Sequence, residues 1–317
     1  MITKRKVLGA ALSLGVLAAS RARAEDRPAE IRIGTQKGGF FPAVRQRRKV
    51  EEVFKPLGVE IRWVDFQFGP PLLEAINVGS VDFGYVGDTP PIFAQAAGAK
   101  IRYTAAVKSE GTTQAIIVLP DSPIRTLADL KGKRVAFGRG SSAHNLLVAA
   151  LEKAGLSWSD ITPAPLAPAD ATAAFVKGSV DAWSIWDPYL ALAELKDRAR
   201  AIAFDKDVHT ANAFYIAGAD FVEKYPTAVA RLNAVFAAEG EWANLHHDEV
   251  AQAQAEATGV DIAAVRRFVD RSNYRVVPVD GAIVQSQQAV ADRFARLGLI
   301  PKAINVSDIV WKWTPGS

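Results

Sequence analysis

The tetrapeptide Gly-Ser-Val-Asp occurs twice, at Gly79–Asp82 and at Gly178–Asp181, 99 residues apart. The same offset carries Asp88 onto Asp187, and an Ala-containing helical stretch precedes the glycine in both copies. A second echo lies upstream. A strand-like run entering Lys37-Gly38 and then a helix is matched by one entering Arg139-Gly140 and then a helix. Two echoes at nearly equal spacing constrain the fold to two α/β units built on one plan.

The hydrophobic pattern supports this. Short β-branched runs at Ile31–Gly34, Ile61–Val64, Ile116–Val118 and Arg134–Phe137 read as strands. Between them the residues Pro71–Asn77, Asn145–Lys153 and Ala169–Lys177 read as helices. Strand and helix alternating at this spacing predict an α/β fold with parallel sheets. After Ala228 the pattern is mostly helical, through Ala289–Leu297. The expected division is a first lobe over 25–119, a second over 120–212, and a return to the first lobe over 213–317. The turn Asp121-Ser122-Pro123 is the expected first crossing. The tail is expected to rejoin the first lobe because it has few strands from which to build a third sheet.

The N-terminus reads as a secretory leader over residues 1–24. Lys4, Arg5 and Lys6 form a basic region, Val7–Ala19 is apolar, and Ala22-Arg23-Ala24 supplies small residues for cleavage after Ala24. The apolar run is too short to span a bilayer core of about 30 Å. Removing the leader also changes the charge. The 38 Lys and Arg of the full chain fall to 33 without Lys4, Arg5, Lys6, Arg21 and Arg23, against 34 Asp and Glu. A basic nucleic-acid-binding surface is therefore not indicated. There is no cysteine, which excludes thiolate catalysis, Cys-ligated metal and a lipid-anchored cysteine. An exported chain without disulfides must rely on its core, and a freely soluble periplasmic protein is the expectation.

Candidate chemistry falls where strands lead into helices, the usual ligand position in open α/β sheets. Gly38-Gly39 follows the first strand, and Gly140-Ser141-Ser142 follows its counterpart. Ser141 or Ser142 can cap the helix that begins near Ala143, and that helix start offers free N–H groups and partial positive charge to an anion. A cap with no ligand explains the same residues equally well. Gly87-Asp88-Thr89-Pro90 and Trp186-Asp187-Pro188 both place a capping residue before a proline. As carboxylates, Asp88 and Asp187 would repel an anion, so the backbone N–H groups of Gly87–Thr89 are the expected donors. Trp186 would wall the cleft and Trp183 would lie in the core.

Catalytic alternatives weaken. Ser141 and His144 are three apart, but Gly-Ser-Ser-Ala-His lacks the closing glycine of a nucleophile elbow. His246-His247 has no partner at metal-ligand spacing, and neither a His-Glu-x-x-His motif nor a P-loop occurs. No catalytic residue, metal or cofactor is expected. The profile is that of a binder.

At these residues a family resemblance becomes visible. Gly34–Gly38, Leu73–Asp82, Gly87–Ala96, Gly140–Leu147 and Val180–Tyr189 resemble the periplasmic aliphatic-sulfonate-binding proteins of ABC importers. The likeness covers nearly the whole chain after the leader. It is most specific in Gly-Asp-Thr-Pro-Pro, Ser-Ser-x-His-Asn and Trp-Asp-Pro-Tyr. It implies a two-lobed type II periplasmic binding protein fold, each lobe a sheet flanked by helices, with the ligand cleft between lobes. It also implies a small organic anion as ligand, an ABC permease with its ATPase as partners, no nucleic acid, and a monomer.

Carried over by motif, the ligand contacts would be Gln36, Gly87, Asp88, Thr89, Ser141, Ser142 and Trp186, with the tail against Phe40, Phe41 and Trp186. The stretch Val107–Gln114 departs from the family pattern, so Thr112, Thr113 and Gln114 bear on which tail fits. Related branches bind taurine, nitrate or sulfate esters. Pyrimidine synthases of thiamine biosynthesis share the architecture, but they depend on cysteine and histidine chemistry.

Overall fold

The computed structural model describes residues 27–209 and 212–315. The leader and its cleavage after Ala24 lie outside the described residues. The described strands are β1 (Glu30–Thr35), β2 (Glu60–Asp65), β3 (Phe83–Val86), β4 (Ile101–Val107), β5 (Gln114–Val118), β6 (Arg134–Phe137), β7 (Thr162–Pro165), β8 (Ala182–Trp186), β9 (Arg200–Phe204), β10 (Ala213–Gly218) and β11 (Val276–Val277). One sheet runs β11-β4-β10-β3-β1-β2 and the other β7-β6-β8-β5-β9. Helices flank both, giving two α/β lobes.

The repeat has a structural cause. In the first sheet β1 pairs in parallel with β2 and β3, and in the second β6 pairs in parallel with β7 and β8. Before β3, the helix Gly69–Asn77 ends at Gly79 with φ 70°; before β8, the helix Pro168–Val176 ends at Gly178 with φ 69°. Only glycine takes this left-handed conformation without penalty. The Ser80 and Ser179 amides then reach back to the carbonyls of Ala75 and Ala174, each at 2.8 Å. The aspartate that follows returns to the first strand of its own triplet. Asp82 receives Arg32 Nη2 at 2.6 Å and Nε at 2.9 Å, while Asp181 receives Arg134 Nη2 at 2.8 Å and Nε at 3.1 Å. Gly-Ser-Val-Asp is thus a helix stop followed by a strap between adjacent strands.

Each parallel triplet is extended by an antiparallel strand, β10 beside β3 and β5 beside β8. The chain changes sheets twice, between β4 and β5 and between β9 and β10. The first crossing precedes the expected boundary. Gln114–Val118, which a division at 119/120 leaves in the first lobe, pairs with β8 and β9 of the second sheet. The Asp121-Ser122-Pro123 turn is a local bend, with the Ser122 amide on the Leu119 carbonyl at 3.1 Å. An apolar strand carries no mark of which sheet will hydrogen-bond it.

The cores sit between each sheet and its helices. Ile31, Ile33, Phe83 and Tyr215 of the first sheet are fully buried, with Phe41 and Phe236 stacked at 4.0 Å against them. In the second lobe Trp183 is buried beside Phe175 at 5.6 Å, a core role as expected. No helix among the described residues is long and apolar enough to cross a membrane.

Candidate anion-binding cleft

Between the lobes lies a cavity of about 120 Å³. The carboxyl ends of β1, β3, β6 and β8 all open onto it. Gln36, Gly38, Phe40, Tyr85 and Gly87 come from the first lobe, and Ser141, Ser142, Trp186 and Asp187 face them from the second. The crossing segment contributes Lys108 and Thr113, the start of β5 contributes Gln114, and the C-terminal segment contributes Arg271 and Tyr274.

Two glycines do more than admit a ligand. A methyl group at Gly87 would lie 2.9 Å from both Cβ and Oγ of Ser142, across the cleft. One at Gly38 would lie 2.9 Å from the Asp187 carbonyl oxygen and 3.6 Å from the Trp186 ring. The lobes approach one another through these two positions.

The donors differ in availability. Ser142 begins the helix Ser142–Lys153, whose first amides have no intrahelical acceptor, and its side chain forms no hydrogen bond among the described residues. Ser141 is the N-cap, but its hydroxyl donates to the Gly138 carbonyl at 2.7 Å rather than capping the helix. Gln36 spends one amide hydrogen on the Tyr85 carbonyl at 2.6 Å and retains the other. Gly87 lines the cavity with backbone alone.

Asp88 and Thr89 do not line it. Both are fully buried, and Asp88 Oδ1 accepts from the Thr89 amide at 2.7 Å and the Thr89 hydroxyl at 3.0 Å. Asp88 Oδ2 accepts from Asn145 Nδ2 at 2.6 Å. The Thr89 amide is thereby consumed by its own cap, which corrects the expectation of donors from Gly87 through Thr89. Burial pushes the Asp88 carboxyl up to about 6 against the pull of these hydrogen bonds. Phe41 likewise belongs to the aromatic core, and only Phe40 of that pair reaches the cavity.

Asp187 lies one residue before the N-cap Pro188 of the helix Tyr189–Lys196, not at the cap expected from the sequence, and its carboxylate accepts from the Ala191 amide in the first turn at 3.0 Å. It also holds Arg271 in a bidentate pair, both contacts at 2.7 Å, and Glu194 takes the same guanidinium at 3.1 Å. Burial pushes the Asp187 carboxyl upward and Arg271 opposes that push. Arg271 is the main residue that sequence reasoning missed. It follows the helix Ile262–Asp270 with no motif around it, and only folding brings it to a position 84 residues earlier in the chain. Its carbonyl accepts from the Thr112 hydroxyl at 2.7 Å, so the crossing segment helps to seat it. Asp187 and Glu194 take three of the five N–H groups of Arg271, and Lys108 also lines the cavity, so cationic as well as neutral donors border this end.

The Ser141–His144 pair is not a catalytic couple. The Ser141 hydroxyl points to Gly138, and His144 Nδ1 accepts from the Gly140 amide at 3.3 Å. Burial lowers the imidazole to about 3, and the ring stacks on Phe137 at 4.7 Å. His246 stacks on Trp242, and no group of three metal-ligating side chains occurs among the described residues.

Residues 54–249 match the model of the NMT1/THI5-like family. The alkanesulfonate-binding protein SsuA from Xanthomonas axonopodis pv. citri, bound to MOPS, is 39% identical, with 90% of this chain and 99% of that one covered and a TM-score of 0.86. The chain belongs to this family. The periplasmic aliphatic sulphonate binding protein SsuA from Escherichia coli is 37% identical over 92% of this chain and 94% of that one, with a TM-score of 0.83. The taurine-binding periplasmic protein of Escherichia coli (strain K12) is more distant, 25% identical over 79% of this chain and 82% of its own length.

Proposed function

We propose that this protein is a periplasmic receptor that captures aliphatic sulfonates and delivers them to an ABC importer. The observation that carries this reading is the convergence of neutral donors on one small cavity: the Ser142 hydroxyl, the helix start behind it, the Gly87 backbone and the free Gln36 amide hydrogen. A sulfonate is a monoanion across ordinary pH with three acceptor oxygens, which matches donors that supply hydrogen bonds without net charge. Hydrogen bonds to a charged group contribute about 1.5–3 kcal/mol each. Four sum to about 6–12 kcal/mol, and only toward the top of that range do they reach the roughly 8 kcal/mol of micromolar binding with something left for the costs of association.

Likeness to two sulfonate binders at 39% and 37% identity supports the headgroup, and the taurine-binding relative at 25% supports taurine less. The lobes follow the sheets among the described residues: 27–107 with 213–315 forms the first and 114–204 the second, with a leader removed after Ala24. One copy of the chain supplies both walls of the cavity, so a monomer suffices.

Calorimetric titration of ethanesulfonate into refolded, ligand-free protein tests the reading, with taurine, nitrate and sulfate as competitors. Ser142→Ala should weaken ethanesulfonate by about 10-fold or more. Ser141→Ala should cost less, because its hydroxyl is spent on Gly138. Absence of heat and of thermal shift across several sulfonates would sink the assignment.

A further inference from the structure

Three helices of the C-terminal segment each send one buried amide side chain to the first lobe. Asn233 lies in the helix Pro226–Leu245, Gln254 in His247–Thr258 and Gln287 in Gly281–Arg296. Taking an amide out of water is unfavourable unless it is hydrogen-bonded, so each side chain marks a group that it meets there. The three differ in what they meet.

Asn233 serves a strand. Its Nδ2 donates to the Thr104 carbonyl at 3.0 Å and its Oδ1 accepts from the Thr104 hydroxyl at 3.2 Å, both within β4. Gln254 serves a turn of the site. Its Nε2 donates one hydrogen to the Lys37 carbonyl at 2.9 Å and the other to the Gly39 carbonyl at 2.8 Å. No other hydrogen bond to these two carbonyls occurs among the described residues. The reverse amide orientation would set oxygen against both carbonyls, and Gln254 Oε1 is instead buried with no donor on it. The side chain is committed to this turn alone.

That turn brings the first lobe to the second. Gly38, between the two held carbonyls, approaches the Asp187 carbonyl and the Trp186 ring, while Gln36 and Phe40 on either side line the cavity. Gly39 has φ 73°, one of the many conformations open to glycine, so its neighbours must select it. Gln287 repeats the arrangement at the other loop of the lobe. Its Nε2 donates to the Asp88 carbonyl, one residue beyond Gly87, at 2.5 Å and to the Tyr103 hydroxyl at 3.0 Å. Neither glutamine lines the cavity.

We propose that Gln254 and Gln287 are positioning residues for the anion, fixing from behind the two first-lobe loops, Gln36–Phe40 and Gly87–Thr89, that face the headgroup. This rests on the sulfonate reading above. Without the two amides these loops are ordered only when ligand binds, so affinity falls although every residue of the cavity is unchanged.

The test is calorimetry with ethanesulfonate on the full mature protein, well below the melting temperature of each variant. Gln254→Met keeps the length of the side chain and removes both donors. Having to order one backbone residue on binding should weaken ethanesulfonate by about 5- to 30-fold. Gln287→Met should act in the same direction. Asn233→Leu is the control for loss of a buried amide: it should lower the melting temperature and leave the affinity unchanged. Gln254→Glu adds a pH readout. Protonated, its carboxyl still donates one hydrogen; ionised, it donates none and faces two carbonyl oxygens. Its affinity relative to the parent should therefore fall as pH rises, whereas neither a sulfonate nor glutamine titrates. Glutamine variants that bind ethanesulfonate as tightly as the parent, or an Asn233→Leu loss as large as theirs, overturn the bracing and leave the receptor reading intact. A parent protein that binds no sulfonate overturns the two together.

Discussion

The two lobes repeat one device faithfully and another only in outline. The straps Arg32–Asp82 and Arg134–Asp181 are the same down to the atoms that meet. Asp88 and Asp187, also related by the repeat, each accept from an amide at a helix start but have different second partners. Asp88 is held by the neutral amide of Asn145, whose own oxygen accepts from Arg293 Nη1 at 2.9 Å. Asp187 is held by the guanidinium of Arg271. Each of these second contacts comes from outside the aspartate's own lobe. The straps hold a lobe together and the caps hold the lobes to each other. A pair that serves one lobe stays fixed, whereas a pair that joins the lobes changes with what lies opposite.

The largest test breaks the ionic cap. Arg271→Ala leaves Asp187 buried without its counter-charge, and such breaks cost about 3–5 kcal/mol. Urea unfolding of the ligand-free variant should show that loss. Replacing both partners by apolar residues of similar size should restore most of it. Equal losses in the single and double variants would show that the pair itself is not the source.

Gly87→Ala acts on closure instead. Its methyl group would crowd Ser142 at 2.9 Å, and overpacking of this kind costs about 1–3 kcal/mol. That cost belongs to the closed form, so sulfonate affinity should fall by about 5- to 150-fold while ligand-free stability changes little. A comparable loss in ligand-free stability would place the crowding within a lobe.

The neutral cap predicts a pH signature. The Asp88 carboxyl is raised from 3.8 to about 6 in the folded protein, so between those values the folded state holds a proton that the unfolded chain has released. Stability from this group is therefore full below pH ~4 and is lost as pH rises through ~6, by about 2–3 kcal/mol. Asp187 is raised to about 6 as well, so Asp88→Asn should remove the Asp88 share of the fall in stability over that interval and leave the Asp187 share. A profile as steep as that of the parent protein would assign the titration to another group.

The smallest effect separates the two straps. Asp82 is more buried than Asp181, with side-chain exposures of 10% and 32%. Asp82→Asn should lower the melting temperature more than Asp181→Asn, since exposed pairs contribute little. Equal shifts would mean that the strand strap, not burial, sets the value.

Much of this architecture was legible in the chain. Gly79 and Gly178 announce helix ends because their left-handed φ is cheap only for glycine, and the runs at Ile31–Gly34 and Arg134–Phe137 announce strands. The helix start at Ser142 and the cleft position of Gly87 and Trp186 follow from strand-to-helix junctions, which are local. Three things were not local. The pairing of Gln114–Val118 with the second sheet depends on hydrogen bonds that any apolar strand can offer. The burial of Asp88 depends on Asn145, 57 residues away, taking the oxygen that its own helix leaves free. The ionic contact between the lobes depends on Arg271, whose charge is matched only once Asp187 and Glu194 surround it. Sequence by itself determined where the chain turns, stops and caps, because those choices are made by backbone conformation within a few residues. Only the tertiary structure decided which side chains face each other across the cleft, because burial and ion pairing are properties of neighbours in space.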